Sequence, residues 1–224
     1  MNSASVTSFE TGTVRGFLHQ PGEGKGHKLV LTHGAGNNCR SPLLIAIASA
    51  FCDAGYSVLR CDLPFRQRRP FGPPLPKFSA DDQAGLKAAV IALRTPNPGK
   101  GLHTADPGKV FIGGHSYGGR QASMLAANEP ECCEGILLLS YPLHPPKKPH
   151  ELRTAHLPNL QTPALFVHGT TDPFGSIDEM HSALQLIPAH TELVAVEGAG
   201  HDLARGNFDI KSLVVDAFGQ LVCR

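Results

Sequence analysis

The chain has 224 residues, of which 41% are hydrophobic and 17% charged; that is enough for one packed core and too short for two comfortable ones. Twenty basic against nineteen acidic residues leave a formal charge of +1, which lacks the basic excess of a phosphate-backbone binder and argues against nucleic acid as a partner. Six cysteines without a CxxC spacing exclude a disulfide scaffold and a cysteine zinc clip, and point to reduced, mostly buried thiols in a cytoplasmic protein.

Met1 to Glu10 has no Lys or Arg and no apolar run, so no secretory signal is expected there. The longest apolar stretch, Leu43 to Phe51, is half the length that crosses a bilayer, and no membrane span is expected. Thr13 to Leu18 reads as a short strand stopped by the turn cluster Gln20 to Gly26. Lys28 to Thr32 is an apolar strand that runs into His33-Gly34-Ala35-Gly36. Ser41-Pro42 opens a helix to Ala54 with Gly55 beyond its end. Tyr56 to Cys61 is the next strand, followed by an irregular loop from Asp62 to Phe78. Ser79 is the expected cap of a helix to Arg94, with Asp81 and Asp82 placed to complement its dipole. Lys109 to Gly113 predicts a strand, Gly118 to Asn128 a helix and Gly135 to Ser140 a strand. Pro163 to Gly169 predicts another strand, and Ser176 with Glu179 a capping box for a helix to about Ile187. Thr191 to Val196 and Phe208 to Val222 read as the last strand and the closing helix. Apolar strands without alternation, separated by helices, predict an α/β chain with a mainly parallel sheet covered on both faces. Ligands of such sheets bind at the carboxyl ends of the strands.

Four loops at those ends hold chemistry. Gly114-His115-Ser116-Tyr117-Gly118 fits G-x-S-x-G between a strand and a helix, a turn so sharp that it needs small residues two positions either side of the serine. A serine hydroxyl needs a histidine to take its proton and an acid to orient that histidine. Asp172 follows one strand end and His201 the last, in the order serine, acid, histidine that α/β-hydrolases use. Asp202 competes as the acid, but adjacency to His201 makes the ring nitrogen hard to reach; Asp178, inside a predicted helix, is weaker. The developing oxyanion of acyl transfer needs N–H donors, for which Tyr117 and Ala35 are the candidates. His33, Phe65, Leu143 and His144 are candidate substrate-binding residues by position, with Tyr117 a further pocket wall.

These residues make the chain resemble an α/β-hydrolase from about Lys28 to Val222. Ser140-Tyr141-Pro142-Leu143-His144-Pro145-Pro146, His150-Glu151-Leu152-Arg153 through Leu157, the His33 loop and Gly118-Gly119-Arg120 resemble a smaller group. That group comprises bacterial hydrolases, the animal testis-expressed hydrolase-like proteins and the NSL-complex hydrolase-like subunit. Dienelactone hydrolases are more distantly similar and use a cysteine where this chain has Ser116. The resemblance implies one α/β-hydrolase domain over residues 1–224, a mostly parallel twisted sheet flanked by helices, and no separate cap domain. It supplies no substrate; the constellation of Ser116, Asp172 and His201 predicts a serine hydrolase that acts on a small-molecule carboxylic ester or thioester of modest size through an acyl-enzyme on Ser116, without cofactor or metal, and a monomer or homodimer is expected. The alternative is a hydrolase fold used as a non-catalytic scaffold, although no triad member is missing.

Other readings are weaker. Gly34-Ala35-Gly36 with Asp62 suggests a dinucleotide fingerprint, but Cys39 stands where a glycine is needed. His144, His150 and His156 lack regular ligand spacing. Arg66, Arg68 and Arg69 read as a solvated loop, with attraction of an anionic substrate as the functional alternative. Arg60 and Arg120 are expected in ion pairs near the sheet, either one within reach of a ligand carboxylate. Cys39 and Cys61 read as packing residues.

Overall fold

In the computed structural model, which describes residues 4–95, 108–203 and 209–222, the parallel strands expected from the apolar runs assemble into one sheet. Its strands are β1 (Ser5–Thr11), β2 (Val14–Gln20), β3 (Lys28–Thr32), β4 (Ser57–Cys61), β5 (Val110–His115), β6 (Ile136–Leu139), β7 (Ala164–Gly169) and β8 (Thr191–Val196). Their order is β1-β2-β4-β3-β5-β6-β7-β8. The pairs β1–β2 and β2–β4 are antiparallel and the other pairs parallel.

Every residue of β5, β6 and β7 is buried, which is why those segments are apolar without alternation. Alternate side chains go to opposite faces. Leu29, Leu31, Leu137 and Leu139 meet helices α1 (Pro42–Asp53) and α6 (Ile210–Val222) on one face. Val30, Ile112, Leu138 and Phe166 meet α3 (Ser79–Arg94), α4 (Tyr117–Asn128) and α5 (Ile177–Leu184) on the other. The expected capping box opens α5: Glu179 N–H donates to Ser176 Oγ at 3.3 Å and Ser176 N–H to Glu179 Oε2 at 2.8 Å.

Several expectations are corrected. The strand expected from Thr13 starts at Val14, and β1, which no apolar pattern announces, folds back on β2 around Gly12 at φ 56°. β1 is an exposed edge strand, so its sequence carries no core signal. The supposedly irregular stretch 62–78 contains α2 (Pro64–Arg68) and a 3-10 turn at Pro76–Phe78. Ser79 does not cap α3; it is already helical at φ −58° and ψ −39°, and its hydroxyl donates to Gln121 Oε1 at 2.8 Å. Asp81 and Asp82 stand in the first turn of α3 as expected, and Asp82 is fully buried there. Phe208, the expected start of the last helix, lies outside the described residues. The segment between β6 and β7 holds a 3-10 turn at Leu157–Asn159 and no inserted cap among the described residues. No helix among the described residues is long and apolar enough to cross a membrane.

Candidate active site

Ser116 stands between the buried strand β5 and α4, at φ 52° and ψ −115°. A non-glycine residue in so sparsely populated a region costs about 1–3 kcal/mol and persists only where its surroundings enforce it. Ser116 N–H donates to Leu139 O at 2.8 Å, which fixes the turn to β6. The flanking glycines follow from contact distances. A Cβ on Gly114 would lie 2.5 Å from Thr32 O, and one on Gly118 would lie 2.5 Å from Thr32 Oγ1 and 2.6 Å from His33 O. Tyr117 is the first residue of α4, in the turn whose N–H groups have no carbonyl partner inside the helix.

His201 bridges to the other side. Its Nε2 lies 2.8 Å from Ser116 Oγ and its Nδ1 lies 2.8 Å from Asp172 Oδ2. The Asp172 side chain has no exposure, and its Oδ1 accepts from Phe174 N–H at 2.9 Å. Asp202 is exposed on the surface, so the structure brings Asp172 rather than Asp202 to the ring nitrogen. Phe174 stacks on the imidazole at 4.1 Å, and His115 donates from Nε2 to His201 O at 2.8 Å. Burial pushes the His115 pKa down, so its ring is a neutral prop. His168 donates from Nε2 to Gly175 O at 2.8 Å and sits 3.7 Å from Asp172 Oδ2; burial likewise lowers its pKa.

The loops bearing the acid and the histidine are stapled together by residues that the sequence did not single out. Thr171 N–H and Oγ1 both donate to Ala199 O at 2.9 Å, and Gly198 N–H donates to Thr170 Oγ1 at 2.9 Å. Gly169 allows the approach, since a Cβ there would lie 2.2 Å from Ala199 O.

The 33–37 loop is held by Arg66. This guanidinium, only 6% exposed, donates to five backbone carbonyls: Ala35 at 2.6 Å, Asn37 and Pro70 at 2.8 Å, Arg69 at 3.1 Å and Gly72 at 3.2 Å. That corrects the expectation of a solvated run for Arg66 alone, since Arg68 and Arg69 are exposed. Arg68 pairs with Asp81 at 2.7 Å. Asp82 reaches across from α3: Oδ1 accepts from Phe65 N–H at 2.9 Å and Oδ2 from the Tyr117 hydroxyl at 2.7 Å. Burial raises the Asp82 pKa, opposed by those bonds. Asp62 accepts from Cys39 N–H at 2.7 Å, which occupies the carboxylate a dinucleotide reading would aim at a ribose.

The expected substrate-binding residues fare differently. His33 is fully buried. Its Nε2 accepts from Leu63 N–H at 3.2 Å and its Nδ1 donates to Gly34 O at 2.9 Å, so it braces the loop and has no nitrogen left for a ligand. Phe65 packs edge-on against Tyr117 with ring centres 5.4 Å apart. Leu143 lines a cavity of about 340 Å³ between the 143–154 segment and α5. His144 is buried, with Nε2 3.5 Å from Glu179 Oε2. Arg60 forms no ion pair among the described residues; it donates to His19 Nε2 at 2.8 Å and to Cys39 O. Burial pushes the Cys39 thiol up to about 12. Among the described residues no three His, Cys, Asp or Glu side chains converge as a metal site would require.

Comparison with known proteins gives the family and the fold. The sequence profile of a family described as an alpha/beta hydrolase domain matches residues 25–211. A Pongo abelii protein, ABHD14B, provisionally named a protein-lysine deacylase, is 28% identical over 81% of this chain and 78% of its own length. Among solved structures, dienelactone hydrolase from Anabaena variabilis is similar at 24% identity and a TM-score of 0.65, over 97% of this chain and 94% of that one. XC6422 from Xanthomonas campestris, described as an a/b serine hydrolase without lid, is 14% identical with a TM-score of 0.75, over 99% and 96%.

Proposed function

This chain belongs to the alpha/beta hydrolase domain family, and from that premise we propose that it is a serine hydrolase of carboxylic esters or thioesters of modest size. The observation that carries the reading is the continuous hydrogen-bonded relay from Ser116 Oγ through His201 to the buried Asp172 carboxylate, with both links at 2.8 Å. Such a chain of hydrogen bonds equips a histidine to remove the hydroxyl proton as the oxygen attacks.

Ser116 Oγ bonds to the acyl carbon while its proton passes to His201 Nε2. Asp172 holds the Nδ1–H tautomer and stabilises the imidazolium. The negative charge that develops on the carbonyl oxygen is met by the N–H groups of Tyr117 and Ala35. The C–O or C–S bond then breaks, and His201 returns the proton to the leaving alkoxide or thiolate. Water repeats the sequence on the acyl-enzyme: His201 takes its proton, the acid is released and Ser116 recovers its hydrogen. Every group needed is a side chain or amide of this chain.

The test is fluorophosphonate labelling of the folded protein, read by intact mass and peptide mapping, beside Ser116→Ala. A single adduct on Ser116 that the variant lacks supports the reading. Turnover is then sought on ester and thioester panels and on an acetyl-lysine peptide, in view of the name of the Pongo relative. No adduct on the folded wild type would favour the scaffolding alternative.

A further inference from the structure

One cluster beside Ser116 has no part in that relay. Arg120 lies in the first turn of α4 and its N–H donates to Ser116 O at 2.9 Å, which puts it one helical turn from the serine. Arg153 comes from the segment between β6 and β7. Both are half-buried, and both guanidinium charges act on the buried phenol of Tyr141. That hydroxyl donates to Arg153 O at 2.6 Å, and Arg153 Nη1 donates to Pro142 O at 3.2 Å. Ser123, one turn beyond Arg120, donates to Arg120 O at 3.0 Å and lies 2.8 Å from His156 Nε2.

The sequence led us to expect Arg120 in an ion pair. Among the described residues neither Arg120 nor Arg153 has one, although Arg15, Arg68 and Arg94 each do. Arg120 Nε is buried without any hydrogen-bond partner. Glu151 attracts Arg153 but is itself paired with Lys148 at 2.8 Å; two neighbouring cations outside any ion pair, partly withdrawn from water, oppose folding. Their field reaches the surroundings: burial and then Arg120 depress the pKa of Arg153, and the same two causes push His156 down to about 4. Arg120 also bonds the Tyr141 hydroxyl, and the guanidinium donors left over, Arg120 Nε among them, are of the kind that recognises carboxylate or phosphate oxygens.

We propose that Arg120 and Arg153 form an anion subsite beside Ser116, which takes a carboxylate or phosphate group carried by the substrate. As a statement about substrate class it rests on Ser116 being the nucleophile; as a statement about anion binding it stands by itself. The carboxylate would come from the half-ester of a dicarboxylic acid and the phosphate from a phosphorylated leaving alcohol.

The first measurement is therefore independent of turnover. Inorganic phosphate and, separately, succinate are titrated into wild-type protein while the ring proton signals of His156 are followed by NMR. Sodium chloride at matched ionic strength is the control. An anion seated between the arginines relieves their field, so the His156 pKa rises from about 4, saturably, with an effect that weakens at least tenfold in Arg120→Gln and Arg153→Gln. A His156 signal that neither anion moves beyond the chloride control overturns the subsite, and because the wild type supplies this result, poor folding of a variant does not blunt it.

The second measurement compares kcat/KM for p-nitrophenyl hemisuccinate, for the butyryl ester of 2-hydroxyethyl phosphate and for neutral p-nitrophenyl butyrate. The preferred anionic ester identifies the source of the charge. Its advantage over the neutral ester should fall about 10- to 100-fold in Arg153→Gln, the effect of losing a charge-assisted hydrogen bond, with Arg153→Lys in between. Turnover of all three esters without preference overturns the subsite and leaves the hydrolase reading standing. Anion binding without turnover or labelling of Ser116 does the reverse.

Discussion

Replacing Arg66 by alanine separates the two things this residue does. The five carbonyls it binds include four from exposed residues, namely Asn37, Arg69, Pro70 and Gly72. Water can take over those acceptors, so their loss costs little. The fifth, Ala35 O, is half-buried and is bound at 2.6 Å. One charge-assisted hydrogen bond is worth about 1.5–3 kcal/mol, so Tm should fall by roughly 5–10 °C in a chain of this length. The catalytic cost should be larger in proportion. Ala35 is the residue whose N–H is assigned to the oxyanion, in the peptide unit next to the carbonyl that Arg66 holds, and losing a single such donor costs about 10²–10³ in kcat. Arg66→Ala should therefore lower kcat about 10²-fold and leave KM nearly unchanged, because the neutral ground-state carbonyl makes little demand on that amide. A lysine at position 66 can reach one or two of the carbonyls and should recover part of the rate. Steady-state kinetics on an ester found in the panel, with thermal unfolding alongside, measures both effects. A folded Arg66→Ala protein that keeps kcat within twofold would refute the assignment of Ala35.

Three further outcomes are expected. Asp172→Asn should reduce kcat by about 10³- to 10⁴-fold through the wrong imidazole tautomer, whereas Asp202→Asn should stay within about twofold by the same reasoning; the opposite pattern in kinetics of the two variants would transfer the acid role. Gly118→Ala would put a Cβ 2.5 Å from Thr32 Oγ1 and 2.6 Å from His33 O, and should cost about 2–4 kcal/mol in denaturant unfolding through forced backbone displacement; an unchanged midpoint would contradict the packing. Acid should destabilise the fold from below pH 6.5. Burial lowers the pKa of His19 and of His156 to about 4, so the unfolded chain binds protons that the folded one refuses; stability is complete above pH 6.5 and is lost as pH falls towards 4. Urea midpoints at pH 7, 5.5 and 4.5 check this, and a flat profile would argue against neutral buried imidazoles.

What could be read from the sequence was what neighbouring residues decide together. The runs LVL, FIGG, ILLL and ALFV announce strands buried on both faces, because no face of them is polar. The elbow could be read because the tightness of one turn dictates the glycines around Ser116. The capping box of α5 spans four residues and closes on itself. Ser116, Asp172 and His201 were nominated from their positions at strand ends, which is local information plus a known chain order.

The rest depends on partners far away in the chain. Asp82 stands in the first turn of α3 as its position predicts, but its contacts with Phe65 and Tyr117 lie 17 and 35 positions off. Arg66 looks solvated until the carbonyl of Ala35, 31 positions back, is found against it. The Thr170–Thr171 staple to Gly198 and Ala199 spans 28 positions. Periodicity and turn chemistry determined the sheet and its candidate serine, because those signals act within a few residues. The anchoring of the loops around that serine, and the unpaired arginines next to it, were decided only in three dimensions, because a hydrogen bond or a missing counter-charge depends on what the fold brings within about 3 Å.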